Sequence, residues 1–327
     1  MNHIELIGRA MRMVWRYKVL WLFGILLALT SGGGGGSGYQ FSGRDIPNNY
    51  SIVPGRMPFH GHFPDFTRVA GIVGPLLLLC CCLLVILIIV ATVVRYVAKA
   101  ALYRTVDQIE ETGDAPTWRE AFRLGWSNRT FRLWLLELLV GIAFFLLTML
   151  LLVPVLSPLL LLLTQSTGLR TFGIIMTVLL GLLFFIAFIA GIAAVSGLTE
   201  FWGREVVLAD RGIGEAIGSG FELVRRNFKD VFIMWLLMLG IGLLFVLALI
   251  PIGFLIVALA AVIGGGIGWL MYQLTNSMGW AVAFGAPPFL TLTVIPFMLI
   301  GGLYEAFKSA VWTLTYREVA ARDTVEG

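Results

Sequence analysis

The sequence predicts an all-α, polytopic membrane helical bundle: six spans arranged as three helical-hairpin repeats, with amphipathic helices at the cytoplasmic interface. Three observations predict it. Hydrophobic residues make up 59% of the 327, charged residues only 13%, and the mean hydropathy is +0.92. Soluble domains carry about 25% charged residues. Long stretches hold almost no charge: Val69–Val94, Leu133–Leu163, Thr171–Thr199 and Val231–Tyr304. A helix needs about 20 apolar residues to cross a hydrocarbon core of about 30 Å. Finally, the basic residues fall on one side. Nineteen of the 23 lie before span one, between spans two and three, between four and five, or after six. Arg44, Arg56, Arg68 and Arg170 lie on the other side. The positive-inside rule then puts both termini in the cytoplasm.

The elements follow in order. Val19–Thr30 is the first span, extended by Val14 and Trp15. Its basic start and short apolar core also resemble a cleaved signal peptide. The span reading prevails because the repeat described below requires it. Residues 31–68 form an extracytoplasmic Gly-rich loop, opening on five consecutive glycines that order only at high entropic cost. His60, His62 and Asp65 in that loop are metal-ligand types with no fourth ligand nearby, so neither a metal nor a cofactor is expected. Span two contains Cys80, Cys81 and Cys82, whose adjacency suits neither a disulfide framework nor a zinc site. Spans three and five are long and carry Pro154, Pro158 and Pro251 in their outer halves; span six carries Pro287, Pro288 and Pro296. Such prolines kink helices, and broken helices can also line transport sites. The last charge-free run holds spans five and six, with the turn between them expected at Gly264–Gly266. Trp15, Trp21, Trp134, Trp202, Trp235 and Trp312 cluster at the inner interface, and Trp269 and Trp280 near the outer one.

Self-similarity organises these spans. Glu215-Ala216, Gly220, Asn227 and Trp235 are echoed by Glu120-Ala121, Gly125, Asn128 and Trp134. A weaker copy starts at Arg9-Ala10 and runs to Trp21. Apolar residues recur at helical spacing at Ile213, Ile217, Phe221, Val224 and Phe228, as they do at Ile4, Ile7, Met11 and Val14. Thr117 to Glu120 is a capping-box pattern just after Pro116. The units end alike, on Tyr103-Arg104-Thr105-Val106, Gly203-Arg204-Glu205-Val206 and Tyr316-Arg317-Glu318-Val319. The chain is therefore one integral membrane domain with repeats at about 1–112, 113–211 and 212–327. Each repeat begins with a helix lying in the interface, apolar face inward and basic residues toward anionic headgroups. Ala216/Gly220 and Ala121/Gly125 are small residues four apart that let another helix approach closely.

The stretch VVLADRGIGEAIGSGFELVRRNFKDVFIMWLL resembles the repeated pattern of a group of bacterial six-span membrane proteins. That group includes the membrane domain attached to some glycerophosphodiester phosphodiesterases. The likeness is specific over 204–236, with an echo at 104–135. It implies a membrane module in a bacterial inner membrane. The phosphodiesterase catalytic domain is absent, and no catalytic, phosphate-loop or dinucleotide motif occurs, so no enzyme is expected.

Two functional readings remain. The first is a non-enzymatic module organising lipid or a partner membrane protein through Arg225, Arg226, Lys229, Arg129 and Arg132 on its inner surface. Membrane lipid is then the expected partner, and the basic pI does not imply nucleic acid. The second is a small transporter or channel. Glu137, Glu200 and Glu305 lie near the inner span ends, where packed hairpins would bring them together as a cation or proton site. Against it, Arg204 stands one turn from Glu200 and Lys308 one turn from Glu305.

Overall fold

The computed structural model describes residues 2–30 and 66–326, with side chains described outside 66–77 and 324–326. The Gly-rich loop, with His60, His62 and Asp65, therefore lies outside the described residues. Among those described there is no strand. The helices are α1 (His3–Arg16), α2 (Val19–Thr30), α3 (Phe66–Thr112), α4 (Trp118–Gly125), α5 (Asn128–Leu156), α6 (Thr167–Val207), α7 (Ile213–Arg226), α8 (Phe228–Thr275) and α9 (Met278–Glu326). A 3-10 stretch, Ser157–Leu163, continues α5. Among the described residues five helices are long and apolar enough to cross a membrane; the count is six if α1 and α2, bent by 96° at their junction, form one span.

The short helices start for a local reason. In each, an acidic residue at the third position reaches back over the first turn. The Glu120 carboxylate accepts from the Thr117 backbone N–H at 2.9 Å, and Glu215 accepts from the Gly212 N–H at 3.4 Å. In α1 the pairing is reciprocal: Glu5 N–H donates to the Asn2 side chain at 3.4 Å, and Asn2 Nδ2 donates to Glu5 at 3.1 Å. These bonds satisfy N–H groups that a helix start otherwise leaves unpaired. The Thr117 backbone N–H is the main reason the Glu120 carboxyl is held below its usual range. Its contribution to helix stability is therefore full above the ordinary carboxylate pKa and is lost as pH falls through the depressed value.

The helices run further than their hydropathy. Charge ends the apolar run at Val94, yet α3 continues to Thr112, and α9 continues to Glu326. The prolines stop almost nothing: Pro154, Pro251, Pro287, Pro288 and Pro296 all lie inside helices, and only near Pro158 does the chain tighten into the 3-10 stretch. The turn between spans five and six is not at Gly264–Gly266 as the sequence predicts. Those glycines lie within α8, and the reversal comes at Asn276, in the left-handed region at φ 49°, and Ser277. The physical reason is packing. A Cβ on Gly264 would sit 2.8 Å from the Gly285 carbonyl oxygen and 2.6 Å from Phe289 Cβ. Small residues there bring α8 and α9 together instead of breaking the helix.

The core sits at the basic end. It gathers Leu6, Ala10 and Val14 of α1, Phe23 of α2, Leu102 of α3 and Val311 of α9. A second cluster joins Tyr103, Leu133, Leu136, Trp202, Val206 and Ala216. Farther along, the apolar side chains from Leu78 to Val90 of α3 are all more than half exposed. Acyl chains are as apolar as leucine, so these lengths gain little from packing on each other. Each short helix lies against a long helix of another hairpin: α1 on α9, α4 on α3, and α7 on α6. Ala10, Ala121 and Ala216 are fully buried in these contacts.

The glycines on these short helices differ in what they meet. A Cβ on Gly125 would lie 2.5 Å from the Val97 carbonyl oxygen and 2.9 Å from Ala101 Cβ, whereas on Gly220 it would meet the Trp202 ring at 2.6 Å. At Gly218 it would meet nothing within 4 Å. Gly125→Leu is thus expected to lower the melting temperature in detergent, by at least the ~1–3 kcal/mol of ordinary overpacking, since its Cβ would meet the Val97 main chain. Gly218→Leu should hold or raise it, since leucine improves helix propensity by up to about 1 kcal/mol. Equal shifts for both variants would mean that α4 is not seated on α3.

Candidate functional site: a polar cluster at the basic end of the spans

Four long helices contribute to one polar cluster inside the bundle. On α3, Tyr96, Lys99 and Tyr103 are three and four residues apart and share a face. Glu137 comes from α5, Glu200 and Arg204 from α6, and Lys308, Ser309 and Thr313 from α9. Tyr96 Oη donates to Glu137 Oε2 at 3.0 Å, and the Lys99 ammonium bonds the other carboxylate oxygen. Arg204 is wholly buried. Its Nη1 donates to Glu200 Oε2 at 2.8 Å, its Nε to Thr313 Oγ1 at 3.1 Å and its Nη2 to the Ser309 carbonyl at 3.2 Å. Its guanidinium lies 4.2 Å from the centroid of the Tyr103 ring, a cation–π arrangement that strengthens when desolvated. Lys308 Nζ is 3.9 Å from Glu200 Oε1.

Two of the three acidic candidates, Glu137 and Glu200, therefore belong to one network. Both already hold cations at contact distance. Glu305 lies one turn before Lys308 and makes no hydrogen bond or ion pair among the described residues. Sequence spacing pairs Lys308 with Glu305; the structure instead turns Lys308 across to Glu200 on α6. Lys99 is the member that sequence reasoning missed. Its signal was the Tyr96, Lys99, Tyr103 stripe just where the hydropathy of span two fails.

The basic candidates separate into two groups. Arg129 donates to the Val207 carbonyl at 3.0 Å and pairs with Asp210 at 2.9 Å; Arg132 reaches the same carboxylate at 3.4 Å. Arg226 is held between Glu222 at 2.6 Å and Asp323 at 3.1 Å. Arg225 and Lys229 are exposed and take no ion pair or hydrogen bond among the described residues. Other basic residues tie the ends of distant helices together. Arg9 pairs with Glu110 at 2.7 Å, Arg322 with Asp230 at 3.3 Å, and Arg317 with Asp107.

Long apolar helices around a core at one end, with most of the charged groups gathered at that end, define a multi-pass helical membrane protein. The chain belongs to DUF7544, a family of unknown function, which it matches over residues 10–315. No curated protein and no solved structure matches it.

Proposed function

We propose that the protein is a non-enzymatic module of the cell membrane that organises lipid or a partner membrane protein through its basic cytoplasmic end. The observation that carries this reading is the pattern of neutralisation. Inside, Glu137 and Glu200 are engaged by Lys99 and Arg204, while outside, Arg225 and Lys229 stand exposed and unpaired among the described residues. Charge is thus spent on structure within the bundle and left open where anionic headgroups lie. The same engagement weighs against a transporter or channel with a polar path along Glu137, Glu200 and Glu305, since a cation would have to displace Lys99 or Arg204 first. On this reading the resemblance to phosphodiesterase-linked membrane domains is one of role: a bundle that serves something beside it.

The three hairpins are read as repeats, 1–112, 113–211 and 212–327. Support comes from the docking of α1 on α9, α4 on α3 and α7 on α6, which closes a ring of three similar contacts. The interfacial placement of the short helices follows from their outward apolar residues, such as Ile4 at 78% and Trp118 at 56% exposure.

Native mass spectrometry from nanodiscs tests the role. Arg225→Gln with Lys229→Gln is expected to weaken anionic-lipid retention by about 1 kcal/mol per residue. Arg226→Gln should do less, because its guanidinium is already paired. Unchanged retention in the double variant would reject lipid binding at the α7–α8 junction. Orientation has its own check. A cysteine at exposed Asn276 should react with an impermeant thiol reagent on intact cells and one at exposed Asp114 should not; the reverse would invert the topology.

A further inference from the structure

The three short helices share a pattern that docking alone does not require. An α-helix turns about 100° per residue, so each residue of a short helix has a bearing around its axis. On α1, Leu6 and Ala10 are buried, Ile4, Met11 and Trp15 form an exposed apolar line, and Arg12 and Arg16 form an exposed basic line on the third side. On α4 the three sides are Ala121 with Gly125, Trp118 with Phe122, and Arg119 with Arg123. On α7 they are Ala216 with Gly220, Phe221 with the half-buried Ile217, and Arg225 with Glu222. Going round each helix in the sense in which the chain winds, the order is the same: buried, apolar, charged. A helix lying at a membrane interface beside a bundle meets three media, the bundle, the acyl chains and water, and these are the three sides. With acyl chains on one side and water on the other in each case, the bundle lies on the same hand of all three chains. They therefore run in one direction around it, which matches the docking of α1 on α9, α4 on α3 and α7 on α6.

The apolar lines lead toward the spans. The Trp15 ring lies 5.6 Å from Trp21 of α2, and Phe122 lies 6.2 Å from Trp126, just ahead of α5. Past α7, Phe228, Phe232 and Trp235 stack in succession up α8. α1 meets α2 at 96°, the angle of a helix lying flat beside a span. At the far end the described residues have no such helix: α5 passes to α6 through the 3-10 stretch, and α8 to α9 at Asn276 and Ser277.

We infer that the protein is a sensor of packing in the cytoplasmic leaflet: its three interfacial helices wedge that leaflet apart, and it gathers where the leaflet is convex or stretched. The inference rests on the lipid-organising reading and the orientation given above, and adds to them a preference for membrane shape. Side chains inserted into one leaflet expand that leaflet alone. A convex leaflet has already opened the gaps that Trp15, Trp118 and Phe221 would fill, and leaves acyl chains in contact with water there, so the same side chains insert at lower cost. The long spans hold the protein in the bilayer whatever its shape, so the preference shows as lateral sorting. A partner protein does not explain the arrangement, since the three lines face three directions round the bundle and each is bordered by charge on the same side.

Narrow tubes drawn from giant vesicles of phosphatidylcholine and phosphatidylglycerol test this with the full chain. An impermeant thiol dye added outside labels Asp114→Cys only in molecules whose basic end faces outward, and Asn276→Cys only in the opposite orientation. Outward-facing basic ends are expected to be severalfold enriched on the tube, whose outer leaflet is convex, and the opposite orientation depleted. Ile4→Gln, Trp118→Gln and Phe221→Gln together should abolish the enrichment, and each alone should reduce it, with melting temperatures unchanged because the three side chains are exposed. Arg12→Gln, Arg123→Gln and Arg225→Gln together should weaken anionic-lipid retention and leave the difference between orientations. Equal density of both orientations on tube and vesicle, in a protein that retains anionic lipid, would overturn the sensor and leave the broader reading standing. Orientation-dependent sorting by a protein that retains no anionic lipid would do the reverse. Enrichment that survives the triple apolar variant would overturn the assignment to these helices.

Discussion

Arg204→Met is expected to destabilise the protein by about 3–5 kcal/mol, the cost of removing one partner from a buried ion pair. Methionine follows the arginine stem but supplies no donor. Glu200 would be left with Lys308 at 3.9 Å as its only ion-pair partner among the described residues. The Ser309 carbonyl and Thr313 hydroxyl would each lose the guanidinium that bonds them. Adding Glu200→Gln removes the stranded charge, so the double variant should recover a large part of the loss. Unfolding in detergent, followed by circular dichroism, measures both. A single variant as stable as wild type would mean that the cluster is solvated and open, which is what the transporter reading needs.

Gly302→Leu is expected to undo the seat of α2 on α9. The two backbones approach so closely that a Cβ on Gly24 would fall 2.2 Å from the Gly302 carbonyl oxygen. A Cβ on Gly302 would fall 2.7 Å from both the backbone nitrogen and the Cα of Ile25. Overpacking against side chains costs about 1–3 kcal/mol. Here main chain meets main chain, so the whole helix must move and the loss should exceed that range. Gly265→Leu is the control, with nothing within 4 Å of its Cβ. A cysteine at Phe23, which is fully buried, should stay unreactive to maleimide beside Gly265→Leu and become reactive beside Gly302→Leu. Equal melting temperatures for the two glycine variants would remove this contact from the account of the fold.

Several features were legible because their causes are local. Thr117 and Glu120 announce the start of α4 within four residues, and the bond between them is where the pattern puts it. The glutamates in the inner ends of the spans were legible as candidates, since a carboxylate among leucines is conspicuous. Their partners were not. Lys99 stands on α3 and Glu137 on α5, 38 positions apart, and nothing in the local pattern joins them. Lys308 is an instructive case. Helical spacing offers it Glu305, yet it turns to Glu200, which is more than a hundred residues away in the chain. The glycines at 264–266 failed for a related reason: a glycine-rich run reads as a turn, whereas here the run stays helical and Gly264 lets the α8 and α9 backbones touch at Gly285.

The class of protein, the approximate spans and the end of the bundle where charge collects could all be read from the residues alone. Those properties sum residue by residue: the transfer of side chains into hydrocarbon, the cost of carrying arginine across, and the capping of a helix by its own first turn. Tertiary structure alone decided which cations neutralise Glu137 and Glu200, where α8 turns into α9, and that Gly24 and Gly302 meet. In hydrocarbon, helix faces carry no hydrophobic pattern that marks one seam above another, so partners are selected by shape and hydrogen bonding between segments far apart in the chain.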